Sequence, residues 1–132
     1  EELTTMEESY AGHDEFAQIS SLDAVDELFG ERFFFGCEAD DPMTSTAFRR
    51  DVNPFGAELH AMMGSDVGHW DVPDMAEVLE EAWEMVDHGW IDAAAFRKFT
   101  FENPARFYTR TNPEFFVGTV VETAVRQLIE EG

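Results

Sequence analysis

The chain has 132 residues, the size of one domain, and its 44% hydrophobic content, with 13 Phe and 3 Trp, is enough for a packed core. Its 29 acidic and 8 basic residues give a formal net charge of −21. Such a charge opposes binding to nucleic acid or to an anionic membrane surface, so we expect neither partner. With Lys98 as its single lysine, the composition fits a protein adapted to high salt and equally an acidic protein of an ordinary cytoplasm.

The cysteine content and the start of the chain bear on its compartment. Cys37 is the single cysteine, which excludes an intramolecular disulfide or a multi-thiolate metal site and favours a reducing compartment. No apolar run approaches the roughly 20 residues that cross a bilayer, and the acidic start Glu1-Glu2 is unlike the basic start of a signal peptide. We expect a soluble, cytoplasmic protein. Because there is no initiator Met, we do not expect Glu1 to be its natural beginning.

Residues 1–12 are predicted to be an acidic lead-in or linker, and residues 13–132 carry the structural pattern. A helix is predicted from Ser21, with Gly30 as its end. The apolar run Arg32–Cys37 is then predicted to be a strand buried on both faces, as in a parallel sheet, with Cys37 as a small core residue.

An acidic group, Glu38, Asp40 and Asp41, follows this strand directly. It could form a cation-binding or substrate-binding loop, but a solvated acidic turn is favoured because no calcium-loop spacing is present. A short helix is predicted near Thr44–Arg50, and Leu59–Gly64 is predicted to be the second strand.

The rest of the chain shows helical spacing. Pro73 suits a first helical turn, and apolar residues then recur with helical period up to Gly89, which predicts a helix over Met75–Asp87. Asp92 is predicted to cap the next helix, and Asn103–Tyr108 is predicted to be a new short turn of helix. Thr119–Glu122 fits a capping box for a last helix. The residues predicted to face inward from these helices are Met75, Val78, Leu79, Ala82, Val86, Ala95, Phe96, Phe99, Val121, Ala124, Val125 and Leu128.

The order of the predicted elements indicates an α/β fold with parallel strands. Two parallel strands leave two unpaired edges and need cover on both faces, so the sheet is expected to be incomplete in this chain. The unpaired edges could pair with another copy of the chain, which makes a non-catalytic, self-associating module an alternative to an enzyme.

Chemistry is expected in the loop after the second strand, Gly64–Asp71. A carboxylate such as Asp66, held at the end of a buried strand, can ligate a metal ion and accept a proton from an activated water, although a turn or helix-capping Asp is an equal alternative. His69 could bind substrate, but a loop histidine bonded to backbone is favoured, and Trp70 and Asp71 are expected to serve packing and helix capping. His60 is expected to be a satisfied core histidine.

Ser65 lies one place too early for a G-x-S-x-G elbow, so a serine hydrolase is rejected, and no histidine spacing seats zinc by itself.

Three segments together resemble the end of a metal-dependent amidohydrolase of the TIM-barrel type. They are Phe33–Pro42 (FFFGCEADDP), Gly64–Asp71 (GSDVGHWD) and Phe101–Tyr108 (FENPARFY). The resemblance covers roughly residues 20 to 132, the C-terminal quarter to third of such a barrel of about 250 residues. It implies that the chain is a fragment of a (β/α)8 barrel, containing about its last two strands, followed by several helices and helix-rich overall.

The resemblance also implies a site. Asp66 matches the aspartate that closes the last barrel strand, which is a metal ligand or general base in the family. His69 and Glu38 remain, from the residue pattern, the candidates for binding the small-molecule substrate. The cofactor would be a divalent metal, Zn in the first instance, although the family's H-x-H pair has no counterpart here. The fragment alone is therefore expected to be inactive and to bind no metal tightly. Some family members decarboxylate aromatic acids, so a metal-dependent decarboxylase is an alternative to a hydrolase.

Overall fold

The fold, seen in a computed structural model that describes residues 29–30, 32–53 and 56–131, is built on two parallel strands. Strand β1 spans Phe34–Glu38 and strand β2 spans His60–Gly64. The strands pair in parallel, with Phe34 opposite His60 and Glu38 opposite Gly64. The carboxyl ends of both strands therefore lie side by side. The prediction of two parallel strands is confirmed.

The described part of the chain adds a 3-10 helix and four α-helices to the strands. Their bounds are Pro42–Phe48 for the 3-10 helix, Val78–Asp87 for α1, Ala93–Arg97 for α2, Asn103–Thr111 for α3 and Glu122–Glu130 for α4. A π-helical segment, Lys98–Glu102, joins α2 to α3. The described residues thus form a mixed, helix-rich fold around a two-stranded parallel sheet, as predicted at the level of fold class.

One face of the sheet packs against the helices and forms the main core. Ala61 of β2 is fully buried there, and Cys37 and Met63 pack against the same cluster. Cys37, predicted to be a small core residue, is only partly buried. Phe99, in the π-helical segment, is the largest fully buried side chain. The buried members of this cluster are Ala39, Ala47, Ala61, Val78, Ala82, Met85, Ile91 and Phe99. Its small residues let the helices approach the strands closely, and Phe99 fills the space between them.

A hydrogen bond and a second, smaller cluster hold the C-terminal helices in place. Asn103, at the start of α3, is buried, and its side-chain N–H donates to the carbonyl oxygen of Ala61 over 2.8 Å. Helix α4 packs on α3 through Ala105, Val125 and Leu128, which are all buried. These contacts place α3 and α4 beside the amino ends of the strands.

The strand predictions need two corrections. Strand β1 begins at Phe34 instead of Arg32 and continues to Glu38. It is not buried on both faces, because Gly36 is exposed and Phe34 and Phe35 are partly exposed. With only two strands among the described residues, part of the second sheet face has no covering layer.

The helices predicted within the described residues differ from the observed ones at several ends. Helix α1 begins at Val78, because Asp74 accepts a hydrogen bond from the backbone N–H of Ala76 and closes a turn before the helix. Met75 therefore lies before the helix and is exposed, and Leu79, inside the helix, is also exposed instead of buried. The helix ends at Asp87 and Gly89 has a φ of 70°, as predicted for a glycine stop.

The predicted break before α3 is wrong, since residues 93–111 run on through the π-helical segment. The predicted short helix near Thr44 is a 3-10 helix that starts at Pro42, where Asp41 accepts a hydrogen bond from the backbone N–H of Met43. The capping box of α4 is also wrong. The hydroxyl of Thr119 donates to the carbonyl oxygen of Phe116 and does not accept from the backbone N–H of Glu122. The side chain of Glu122 accepts from the backbone N–H of Gly118 and so stabilises the turn before α4.

Predictions at the amino terminus fall mostly outside the described residues, including the lead-in over 1–12 and the helix from Ser21. Phe29, Gly30 and Arg32 are helical, so Gly30 does not end that helix. Ala124 is exposed, whereas Val125 and Leu128 face inward as predicted. Among the described residues, no helix has the length and apolar character needed to cross a membrane.

Candidate metal centre

The loop after β2 leaves the sheet at the carboxyl ends of both strands. Glu38 ends β1 directly beside Gly64, and Ser65 and Asp66 follow Gly64 out of the sheet. In sheets of parallel strands, this edge is where the connecting loops carry chemical groups. The side chains that follow the two strands are therefore brought to one place.

Asp66 has an unusual backbone conformation that turns the loop. Its φ is 49°, in the left-handed region, and among the described residues it is the one non-glycine residue with a positive φ. Asp tolerates this region better than most residues, and conformations of this kind occur at functional sites. The turn is closed by a backbone hydrogen bond of 3.0 Å from the N–H of His69 to the carbonyl oxygen of Asp66.

This turn folds His69 back onto the Asp66 side chain. Nδ1 of His69 lies 2.8 Å from Oδ2 of Asp66, and the Asp66 side chain is only 26% exposed whereas that of His69 is 66% exposed. With the proton on Nδ1 donated to the carboxylate, Nε2 of the ring is left with a free lone pair. A carboxylate that accepts from Nδ1 in this way fixes the tautomer and the orientation of the ring.

Asp71 completes a group of three side chains from one loop. One ligand atom each from Asp66, His69 and Asp71 lies within 4.8 Å of the other two. Ligand atoms that share one zinc ion, each about 2.0–2.2 Å from it, lie at most about 4.4 Å apart. The three atoms therefore lie close to the spacing that ligands of one ion require.

A small cavity of about 60 Å³ lies beside this group. It is lined by Glu38, Ala39, Asp40, Ser65, Asp66, Asp71, Val72 and Glu81. All five ionisable side chains in this lining are carboxylates, so their combined field favours a cation. Glu38, predicted as a substrate-binding residue, and Asp66 are thus brought to the same cavity, while Asp41 instead caps the 3-10 helix.

Two of the loop residues have roles other than those predicted. Asp71 does not cap a helix, because α1 begins seven residues later and Asp71 belongs to the three-residue group. Trp70 does not pack in the core, since it is 94% exposed.

Sequence reasoning also missed Glu81. Asp71 was recognisable from its place in the same glycine-containing loop as Asp66, but Glu81 comes from α1 and only the fold brings it to the cavity.

The remaining histidines in the described residues lie apart from this group. His60 stacks on Phe34, with ring centroids 4.8 Å apart, and its buried Nδ1 has no hydrogen-bond partner, so the prediction of a satisfied histidine is wrong for that atom. Burial lowers the pKa of His60 below its usual value. His88 bonds to the carbonyl oxygen of Glu84 and stacks on Trp90. His13 lies outside the described residues.

Comparison of this chain with protein-family models, with curated proteins and with solved structures finds no match.

Proposed function

We propose that this chain is the C-terminal part of a metal-dependent hydrolase of the amidohydrolase type. The observation that carries the proposal is the group Asp66, His69 and Asp71 at the carboxyl ends of two parallel strands. In this reading β1 and β2 are the last two strands of a (β/α)8 barrel, and the other strands would continue the sheet from its unpaired edges. The 3-10 helix and α1 would occupy the positions of the connecting helices.

The residues present fit a divalent metal ion such as zinc. The group offers two carboxylates and one imidazole, which are nitrogen and oxygen donors of the kind that zinc takes in catalytic sites, and their spacing needs little adjustment. Asp66 and Asp71 would hold the ion, together with upstream residues. When bound, such an ion polarises a substrate carbonyl and makes a nearby water more acidic.

The protein's own groups would then orient the reactants. Asp66 is partly buried and fixed by its turn, so its carboxylate would ligate the ion or accept a proton from the attacking water. His69, more exposed and bonded to Asp66, would contact the substrate, with Glu38 on the other side of the cavity. Two carboxylates from one exposed loop are fewer than the three protein ligands usual in catalytic zinc sites, so the isolated chain would bind zinc weakly and hydrolyse nothing.

Calorimetric titration with zinc tests this site. Asp66→Asn should weaken zinc binding about tenfold or more, as expected for loss of a ligand. Asp51→Asn is the matched control, because Asp51 is an exposed aspartate paired with Arg49 away from the loop, and it should leave zinc binding unchanged. Equal binding by the Asp66→Asn variant would contradict the proposal. So would ester or amide hydrolysis by the isolated, zinc-loaded chain that this substitution abolishes, because the chain would then be a complete enzyme.

The coding sequence that precedes Glu1 tests the barrel. We expect an open reading frame of roughly 200 further residues containing an H-x-H motif after a strand. A stop codon a short distance upstream would rule out the hydrolase fragment.

The unpaired edges of the sheet favour a second function, self-association. Within the described residues, each strand has one partner and one open edge, and such edges pair readily with other chains. Sedimentation of the chain distinguishes the two functions. A dimer or larger form would support a self-associating module, and a clean monomer would argue against it.

A further inference from the structure

A second, larger cavity lies at the opposite end of the strands. Its volume is about 940 Å³, and its lining includes Phe34 and His60, the first residues of β1 and β2, with further walls from α3 and α4. The strands are five residues long, so the two cavities are separated by roughly 13 Å along the sheet. This cavity is therefore distinct from the candidate metal centre.

Basic side chains are concentrated in this cavity. Three of the eight basic residues of the chain line it, namely Arg106, Arg110 and Arg126, together with two glutamates, Glu114 and Glu130. The ionisable residues lining the cavity at the carboxyl ends are all acidic. Because Arg126 is ion-paired with Glu122 and two glutamates share the lining, the cavity can attract an anion only through an arginine that no carboxylate already holds.

Arg106 is the guanidinium available to such an anion. Arg49, Arg50, Arg97 and Arg126 each form an ion pair with a neighbouring carboxylate. Arg106 is partly buried and, among the described residues, has no carboxylate within ion-pair distance. A guanidinium binds a carboxylate through two parallel hydrogen bonds, and partial burial strengthens that interaction.

Charges of both signs act on His60, which lines this cavity. Burial is the main cause of its lowered pKa; Glu58 opposes this shift, and the charges of Arg106, Arg110 and Lys98 add to it. Of these charged groups, Arg106 and Arg110 line the cavity, whereas Lys98 lies outside it and is paired with Glu58. The buried Nδ1 of His60 has no hydrogen-bond partner. An imidazole carries no negative charge, so the ring does not compete with an anion for Arg106.

The other walls of the cavity are apolar. Phe34, Val117, Val125 and Ile129 line it, and Val117 and Ile129 are 52% and 44% exposed. A volume of this size is within the range of small-molecule sites, about 300–1,000 Å³, which combine apolar walls with a few polar groups that fix orientation. The walls would cover the body of a ligand whose charged end lies on Arg106.

We propose that this cavity binds a small monocarboxylic acid with an apolar body, whose carboxylate pairs with Arg106 and whose chain lies against Val117 and Ile129. The site is independent of the metal centre and of the hydrolase proposal. We expect the cavity to prefer such an acid to a simple inorganic anion, because contacts with the apolar walls add to the ion pair with Arg106.

Calorimetric titration with hexanoate tests the proposal, with hexanamide and inorganic phosphate as the neutral and the non-apolar comparisons. Hexanoate should bind with a millimolar or lower dissociation constant. Both comparison compounds should bind at least about tenfold more weakly, because hexanamide lacks the negative charge and phosphate lacks the apolar body. Arg106→Gln should weaken hexanoate binding about tenfold or more. The matched control, Arg97→Gln, removes an arginine outside the cavity and should leave binding unchanged.

A second pair of variants tests the apolar wall without touching the arginines. Val117→Glu places a negative charge in the cavity at an exposed position, so it should abolish hexanoate binding without unfolding the chain. Val120→Glu, at a fully exposed position outside the lining, should not change binding. Far-ultraviolet circular dichroism checks that the variants are folded. Unchanged hexanoate binding in both Arg106→Gln and Val117→Glu, equal binding of hexanamide or phosphate, or no binding of hexanoate would each overturn the proposal.

Discussion

At the scale of single residues, two features are unusual: the backbone conformation of Asp66 and the burial of the His60 side chain. Asp66 has a positive φ and bonds to His69, which holds its carboxylate at the edge of an acidic cavity. His60 places a buried ring nitrogen without a partner near three cations. Both arrangements cost folding free energy, and features of this kind are found where a protein binds something.

His60 gives the stability of the protein a specific dependence on pH. Because burial lowers its pKa in the folded state, the unfolded chain binds a proton more readily, and stability falls as the pH decreases from the unfolded pKa of about 6.5 toward the lower folded value. Above that window the imidazole is neutral in both states and has no effect. We expect the urea midpoint to decrease between about pH 7.5 and about pH 5.5.

The variant His60→Phe isolates this effect. Phenylalanine keeps a ring to stack on Phe34 but has no group to protonate, so the decrease over this pH window should become smaller. An equal decrease in both proteins would show that other groups cause it.

At the scale of elements, the contact between α3 and β2 fixes the position of the C-terminal helices. Asn103 is 5% exposed, and its amide is the side-chain donor that reaches the carbonyl of Ala61. Asn103→Ala would leave a carbonyl buried without this donor, so we expect a loss of about 1–3 kcal/mol in the free energy of unfolding, measured by urea denaturation.

Gln127→Ala provides the comparison for that measurement. Gln127 is an exposed side chain of α4, and its replacement should change the free energy of unfolding by no more than about 0.5 kcal/mol. A loss in Asn103→Ala as small as in this control would mean that water satisfies the carbonyl of Ala61.

Elements whose signals are local could be predicted from the sequence. The apolar run before Gly64 predicted the bounds of β2 to within one residue, and Gly89 predicted the end of α1. Asp92 was predicted to cap α2, and its side chain does accept a hydrogen bond from the backbone N–H of Ala95. Each of these depends on neighbours within four residues. The π-helical segment around Phe99 was missed because it arises from packing against the strands, which periodicity alone does not describe.

In the candidate site, too, features set by neighbouring residues were predictable, whereas contacts between distant elements were not. The position of Asp66 at the end of a strand followed from the chain pattern, and its bond to His69 lies within one turn. Glu81 and Arg106 could not be assigned, because the first reaches its cavity from α1 and the second from α3. Their roles depend on distances between elements far apart in sequence.

At the scale of the whole molecule, charge is distributed along the strand direction. The cavity at the carboxyl ends of the strands has only acidic ionisable residues in its lining, whereas the cavity at the amino ends is lined by three arginines and two glutamates. Over the whole chain, acidic residues far outnumber basic ones, and the net charge is −21. The described ion pairs are mostly exposed, and pairs of that kind contribute little to stability. Repulsion between surface carboxylates is therefore the dominant long-range electrostatic term.

This repulsion predicts that salt stabilises the protein. The screening length falls from about 10 Å at 0.1 M to about 3 Å at 1 M, so added NaCl should suppress repulsion in the folded chain more than in the expanded unfolded chain. The urea midpoint should rise steadily over this range. The triple variant Glu84→Gln, Glu130→Gln and Glu131→Gln removes three exposed charges near the C-terminal ends of helices, where negative charge also opposes the helix dipole. It should be more stable than the parent at low salt and respond less to NaCl, whereas a midpoint that is constant or falls with salt would contradict the prediction.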